Sequence, residues 1–147
     1  MRTLLLVDDE DNVLQALVRL LRPDGYRLLT ARRGDEALAI LAREPVGAIL
    51  TDQGMPGMRG DELLAQARER CPEVVRLVMT GARDLDSVLR AVNHGAVYRF
   101  LLKPWEDDNL RAQVRDAFQH FDLRRERARL LREIEAALET LKGERHA

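Results

Sequence analysis

Apolar positions along the chain fall into two alternating patterns. Short runs of aliphatic and β-branched residues occur at Thr3–Val7, Tyr26–Thr30, Ala48–Thr51, Val74–Met79 and Val97–Leu102. After each, apolar residues return every three or four positions. The stretches are Val13, Leu14, Leu17, Val18 and Leu21; Ala37, Leu38 and Leu41; Leu63, Leu64 and Ala67; Val88, Leu89 and Val92; and Leu110, Val114, Ala117 and Phe121. The first pattern predicts strands and the second amphipathic helices. Turn-forming residues separate them, at Pro23-Asp24-Gly25, Gly34, Pro45, Gly54 to Gly60, Pro72, Gly81 and Gly95. Strand and helix alternating five times predicts an α/β architecture of βαβ units, with right-handed crossovers and a five-stranded parallel sheet. Leu4–Val7 is apolar throughout, as a strand covered on both faces must be.

The pattern changes after the fifth helix. Leu123 to Lys142 contains neither Gly nor Pro, and Leu123, Leu130, Ile134, Ala137 and Leu141 form a seam with alternating spacings of three and four, interrupted by Arg127. Leu131 and Leu138 flank the seam, and charges cover the other side. This predicts a C-terminal helical extension continuous with the fifth helix, whose stripe of about three heptads needs a partner. The expected organisation is a globular unit over 1–121 and a helical extension or linker over 122–147, with a homodimeric coiled coil as the partner it suits.

Composition narrows the function. A chain of 147 residues, 46% hydrophobic and 33% charged, supports one well-packed domain with a polar surface. Its net charge of −1 argues against a general nucleic-acid binder. Arg124–Arg132 holds five arginines, but acids follow it, so direct nucleic-acid binding is not expected of this segment. Cys71 is the lone cysteine, the opening is no secretion signal, and no run approaches membrane-spanning length. A cytoplasmic location is expected. His94, His120 and His146 lack metal-like spacing. Two Arg-Gly-Asp triplets, at 33–35 and 59–61, fall where loops enter helices. There Gly would relax the backbone and Asp would favour the first helical turn.

The chemistry begins at LLLVDDED, Leu4 to Asp11, where an apolar run meets Asp8, Asp9, Glu10 and Asp11. In a doubly wound sheet, ligands sit beyond the carboxyl ends of the strands. Residues just past the strands should therefore converge: Asp8 and Asp9 after the first, Asp52 after the third, Thr80 after the fourth and Lys103 after the fifth. Clustered carboxylates without softer ligands suit a hard cation, Mg²⁺ or Mn²⁺. With a lysine and a hydroxyl opposite, the set would surround a phosphoryl group in transfer, and one carboxylate could be the nucleophile. The cation would explain why the acids are tolerated side by side. The plainer reading, that Asp8 and Asp9 cap the next helix, stands beside it.

These residues carry a resemblance. LLLVDDED, then TDQGMPGMRGDELL at 51–64, VMTGARD at 78–84 and FLLKPW at 100–105 together resemble the receiver domain of two-component response regulators, the CheY-like family, over roughly 3–120. The resemblance implies a doubly wound (βα)5 flavodoxin-like receiver fold. It implies Asp52 as the phosphoacceptor, Asp8 and Asp9 as Mg²⁺ ligands together with Asp52, and the Gly54 carbonyl completing the metal shell. Lys103 and Thr80 would contact the phosphoryl oxygens, and Phe100 would be the switch aromatic. Tyr98, read as lying on the same face as Phe100, would be a second switch aromatic. Lys103–Pro104 would be a cis peptide, making Pro104 structural. Gly54 and Ala82 occupy positions that tune phosphoryl lifetime in the family, and neither side chain can orient a water. The implied partners are a sensor histidine kinase or phosphotransfer protein, and an output domain reached through the surface of the fourth helix, fifth strand and fifth helix. The transfer would be self-directed, so the chain is not expected to be an enzyme. A rival is a Mg²⁺-dependent phosphatase of the haloacid dehalogenase type, in which Asp8 and Glu10 would carry the chemistry.

Overall fold

The computed structural model describes residues 1–146; Ala147, the end of the expected extension, lies outside the described residues. The elements are β1 (Thr3–Val7), α1 (Asp11–Leu21), β2 (Arg27–Ala31), α2 (Gly34–Arg43), β3 (Ala48–Asp52), α3 (Gly60–Arg70), β4 (Val75–Thr80), α4 (Leu85–Asn93), β5 (Arg99–Leu102) and α5 (Asp107–His146). Short 3₁₀ turns at Arg22–Asp24 and Ala82–Asp84 follow α1 and precede α4. All strand pairs are parallel, in the order β2-β1-β3-β4-β5. This is the doubly wound, flavodoxin-like α/β arrangement. Its strand order reverses between β1 and β3, so the carboxyl ends of those two strands border the binding crevice.

Side-chain alternation divides the core between the two faces of the sheet. Leu5, Val7, Ile49 and Val78 pack with Leu38, Leu41, Leu63, Leu64 and Val88 under α2, α3 and α4. Leu4, Leu6, Leu50, Leu77 and Met79 pack with Leu14, Leu17, Leu110, Val114 and Phe118 under α1 and α5. β1, β3 and β4 are buried at every position, which is why they read as continuous runs. At about 1.5–3 kcal/mol for each large aliphatic side chain removed from water, these three strands are the rigid floor of the site.

Strand boundaries follow the sequence pattern to within one or two residues. The largest difference is β5, which starts at Arg99 rather than Val97. The Ala96 and Val97 N–H groups donate to the Ala91 carbonyl and close off α4, so both residues are buried without joining the ladder. Arg76 is a charged residue inside buried β4. Its guanidinium donates to the carbonyls of Pro72, Val74, Gly95 and Ala96, satisfying the charge with backbone oxygens.

Both Arg-Gly-Asp triplets lie at helix entrances, at the starts of α2 and α3. Backbone freedom is not what their glycines supply, because the glycines with positive φ are Gly25, Gly57 and Gly95. Gly34 and Gly60 instead permit close approach. A Cβ on Gly34 would lie 2.5 Å from the Met58 sulfur, and one on Gly60 would collide with the Asp52 carbonyl oxygen.

α5 runs unbroken for 40 residues. Leu110, Val114, Ala117 and Phe118 are buried, whereas Leu123 is 68% and Ile134 55% exposed. At roughly 100° per residue, Ile134 lies about 120° round the helix from Leu110, so the tail's apolar stripe points away from the sheet.

The seat of α3 on β3 gives the first prediction. Gly60→Ala should cost about 1–3 kcal/mol, the range for overpacking, read as a lower urea midpoint at unchanged m-value. A variant as stable as wild type would mean that α3 does not sit this close to Asp52.

Candidate functional site

The carboxyl ends of four strands deliver their polar residues to one place. Asp8 is fully buried just beyond β1, and its N–H donates to the Ala31 carbonyl of β2 at 3.1 Å. Asp8 Oδ1 accepts the Glu10 N–H at 2.9 Å, which fixes the turn into α1. Asp52 and Thr80 are the last residues of β3 and β4. Lys103 follows β5, held in register by its N–H donating to the Thr80 carbonyl at 2.9 Å. Carboxylate oxygens of Asp8, Asp9 and Asp52 lie within 4.8 Å of one another. Lys103 Nζ stands 2.7 Å from Asp52 Oδ1 and 3.7 Å from Asp8 Oδ2. The Lys103–Pro104 peptide is cis.

The Asp8 carboxyl is pushed up to about 6, chiefly by burial and with help from the charges of Asp52 and Asp9, against the Glu10 N–H and the Lys103 ammonium. Burial alone would lower the Lys103 pKa, but its hydrogen bond to Asp52 and the charges of Asp52 and Asp8 outweigh that and raise it. Lys103 thus stays a cation facing the carboxylates. One oxygen is left over: Asp8 Oδ2 is buried without a hydrogen-bond partner among the described residues, Lys103 being too distant to donate. An orphaned carboxylate oxygen amid hard oxygen donors fits a small divalent cation. A cavity of about 530 Å³ opens instead at the amino ends of the strands, over Thr3, Val46, Gly47, Val74 and Phe118, far from this chemistry.

The remaining predicted residues are placed as follows. The Thr80 hydroxyl is buried and donates to the Gly81 carbonyl at 3.0 Å, so in this state it is engaged with its own turn. Gly54 lies in the exposed loop after Asp52. Phe100 is half-buried on the α2–α3–α4 face. Tyr98 does not share that face. It packs on the α1–α5 side, its hydroxyl donating to Asp116 at 3.0 Å and its ring stacked 4.4 Å from His120. It precedes β5, so strand alternation does not govern it. Trp105 also packs on the α1–α5 side and donates its indole N–H to Asp107.

Sequence reasoning passed over Gln53 and Ser87 near Asp52, and saw Asp61 only as a helix-start residue. Gln53, one residue past Asp52, is buried and accepts the Asp61 N–H on Oε1 at 2.7 Å. Asp61, in the first turn of α3, accepts the Ser87 hydroxyl of α4 at 2.6 Å. A polar residue in the middle of a buried segment, as Gln53 is, was the available signal; its partners were not.

A profile of the response regulator receiver domain matches residues 4–115. The chain belongs to the response regulator receiver family. It is similar to the hydrogenase transcriptional regulatory protein HoxA of Cupriavidus necator, 41% identical over 140 residues, which cover 95% of this chain and 29% of HoxA. It is also similar to the DNA-binding transcriptional regulator NtrC of Salmonella typhimurium, 36% identical over 78% of this chain and 24% of NtrC. The receiver thus spans less than a third of the length of these curated relatives. Among solved structures it resembles the signal receiver domain of an HD domain-containing protein from Pseudomonas fluorescens Pf-5. There the TM-score is 0.81 and the identity 38%, over 86% of this chain and 93% of that one. A receiver domain from Clostridium thermocellum gives a TM-score of 0.79 at 28% identity, over 84% and 98% of the two chains. None of this chain's described helices is long and apolar enough to cross a membrane.

The raised Asp8 pKa makes stability depend on pH. The folded protein holds this proton up to about pH 6, whereas the unfolded chain releases it near the ordinary aspartate value of 3.8. Stability of the metal-free receiver should therefore fall as pH rises through that window, by on the order of 3 kcal/mol from this group. Urea midpoints in EDTA from pH 4 to 7 check it: Asp8→Asn should flatten the decline and be the more stable protein at pH 7. An unchanged slope in the variant would remove Asp8 as its source.

Proposed function

We propose that this receiver accepts a phosphoryl group on Asp52 from the phosphohistidine of a sensor kinase or phosphotransfer protein. The 2.7 Å pair between Lys103 and Asp52, set among three clustered carboxylates, is the observation that carries the reading. Asp8 and Asp9 with Asp52 would hold Mg²⁺, the Gly54 carbonyl adding a further oxygen. Bound there, the ion would supply positive charge against the phosphoryl oxygens. An Asp52 oxygen attacks phosphorus, the P–N bond breaks, and its electron pair stays on the donor imidazole. Lys103, already cationic beside Asp52, stabilises the oxygens of the transferring group from the other side. Thr80 then exchanges its bond to the Gly81 carbonyl for a phosphoryl oxygen. Phe100, one strand over, follows, and the α4–β5–α5 surface changes. No foreign substrate is turned over.

The phosphatase alternative requires Asp8 as nucleophile. Asp8 Oδ1 is committed to the Glu10 N–H, while Asp52 is the carboxylate that Lys103 contacts. That favours Asp52.

The relatives' longer chains support an output domain beyond the tail, and the exposed stripe of Leu130, Ile134, Leu138 and Leu141 supports pairing with a second copy of α5. This is a dimerising reading of the extension, with the switching unit over 1–121.

Intact mass after incubation with acetyl phosphate and Mg²⁺ tests the acceptor. Wild type should gain one phosphoryl group, Asp52→Asn none, and Lys103→Met should react roughly a hundredfold more slowly, the scale of one lost oxyanion contact. Phosphate on Asp8 would restore the phosphatase reading. For the tail, sedimentation should show a dimer that Ile134→Asp with Leu141→Asp converts to monomer. A wild type that is monomeric at high concentration would exclude the paired tail.

A further inference from the structure

α4 is held differently from the other helices. It fully buries Val88, whereas α1 buries three residues, α2 five and α3 four. Its carboxyl end is pinned: Arg68 Nη1 donates to the His94 carbonyl at 2.6 Å, and Arg76 holds the carbonyls of Gly95 and Ala96. Both guanidinium groups are well matched to the negative end of a helix. Its amino end begins one short turn after Thr80, and there the tie is the Ser87–Asp61 bond.

Asp61 is itself anchored to the acceptor strand. Its N–H donates to Gln53 Oε1, the Gly60 N–H donates to the Gln53 carbonyl at 3.0 Å, and the Gln53 N–H donates to the Met79 carbonyl at 2.9 Å. One hydrogen-bonded chain therefore runs from the residue after Asp52, through the first turn of α3, to the first turn of α4. It contains a spare donor: Gln53 Nε2 is buried with no hydrogen-bond partner among the described residues. Such a group is costly to leave unmade. The Asp61 carboxylate thus has two claimants beside it. The Ser87 hydroxyl is bound at 2.6 Å, and the Gln53 amide bears on the carboxylate without making a full hydrogen bond to it. Asp61 responds to both: burial pushes its pKa up, while the Ser87 hydroxyl, Gln53 and Arg59 bring it below the usual carboxylate value.

We propose that Gln53, Asp61 and Ser87 form a two-position latch that sets how readily Asp52 is phosphorylated, by holding the amino end of α4 in its resting place. The inference rests on the phosphoacceptor reading. In the resting position Ser87 binds Asp61. When Thr80 turns from Gly81 toward a phosphoryl oxygen, the turn between β4 and α4 moves and the load falls on the Ser87–Asp61 bond. α4 then swings about its Arg68 and Arg76 pins. The freed Asp61 carboxylate takes the Gln53 amide, so the loss of one hydrogen bond is offset by the gain of another. Gln53, Asp61 and Ser87 are positioning residues; none needs to touch the phosphoryl group.

The test compares wild type, Ser87→Ala and Ser87→Thr, which keeps the hydroxyl. Two readouts are beryllofluoride affinity with Mg²⁺ and the backbone amide NMR spectrum without it. Removing one charge-assisted bond from the resting state should tighten beryllofluoride binding by roughly tenfold in Ser87→Ala. The α4 amides of the unliganded variant should move along the line joining free and beryllofluoride-bound wild type. Ser87→Thr should stay near wild type in both. A folded Ser87→Ala with wild-type affinity, or with α4 shifts off that line, overturns the latch and leaves the acceptor assignment standing. Failure of wild type itself to bind beryllofluoride would overturn both.

Discussion

One cation holds the site together. Parallel strands β1 and β3 end in carboxylates because their apolar runs stop at the same level, and the sheet brings those ends side by side. Asp8, Asp9 and Asp52 would repel one another in a half-buried crevice. Lys103, carried in from β5, is the side chain that opposes them, and its 2.7 Å contact orients the Asp52 carboxylate. That contact depends on β4 lying between β3 and β5 and on the backbone bond from Lys103 to Thr80. The balance is incomplete by one oxygen, Asp8 Oδ2. An unsatisfied oxygen among hard oxygen donors is the kind of group that a small divalent cation suits.

The two faces of the sheet do different work around this centre. α1 and α5 close one face with large side chains, Leu17, Leu21, Leu110 and Phe118 among them, all essentially buried. On the other face α2 and α3 are equally well seated, Gly60 allowing α3 to rest on the Asp52 carbonyl itself. α4 is the lightly buried member, beside β5 and directly after Thr80. Helices with few buried apolar contacts lie at the low end of local stability, so the element nearest the threonine is also the one least costly to displace.

Much of this was legible in the sequence. A central strand reads as an uninterrupted apolar run, and the polar residue that stops it is by construction at the strand's carboxyl end. That is why Asp8, Asp52, Thr80 and Lys103 could be brought together before any coordinates. Legibility failed where the argument needed something other than period. Tyr98 shares parity with Phe100 but precedes β5, and its side chain goes to Asp116 and His120 instead. Gly34 and Gly60 looked like flexible entrances to helices and are close-packing positions. The Gln53–Asp61–Ser87 chain joins residues 8 and 26 positions apart through side-chain atoms, and no local pattern encodes such a pairing. Arg76 was visible as a charge in a buried strand, but the carbonyls that receive it come from the loop before β5 and from the segment leading into β4.

The unbroken course of α5 has a mechanical meaning. A helix packed on the sheet through Leu110, Val114 and Phe118 and continuing to His146 with no Gly or Pro before Gly143 is a stiff rod clamped at one end. The part beyond Phe121 is about 37 Å long at 1.5 Å per residue, so a 10° tilt at the clamp sweeps its far end through roughly 6 Å. Shifts of an ångström among side chains on the domain surface are thereby geared up to displacements the size of a helix radius. Whatever is attached to the far end feels a lever rather than a tether.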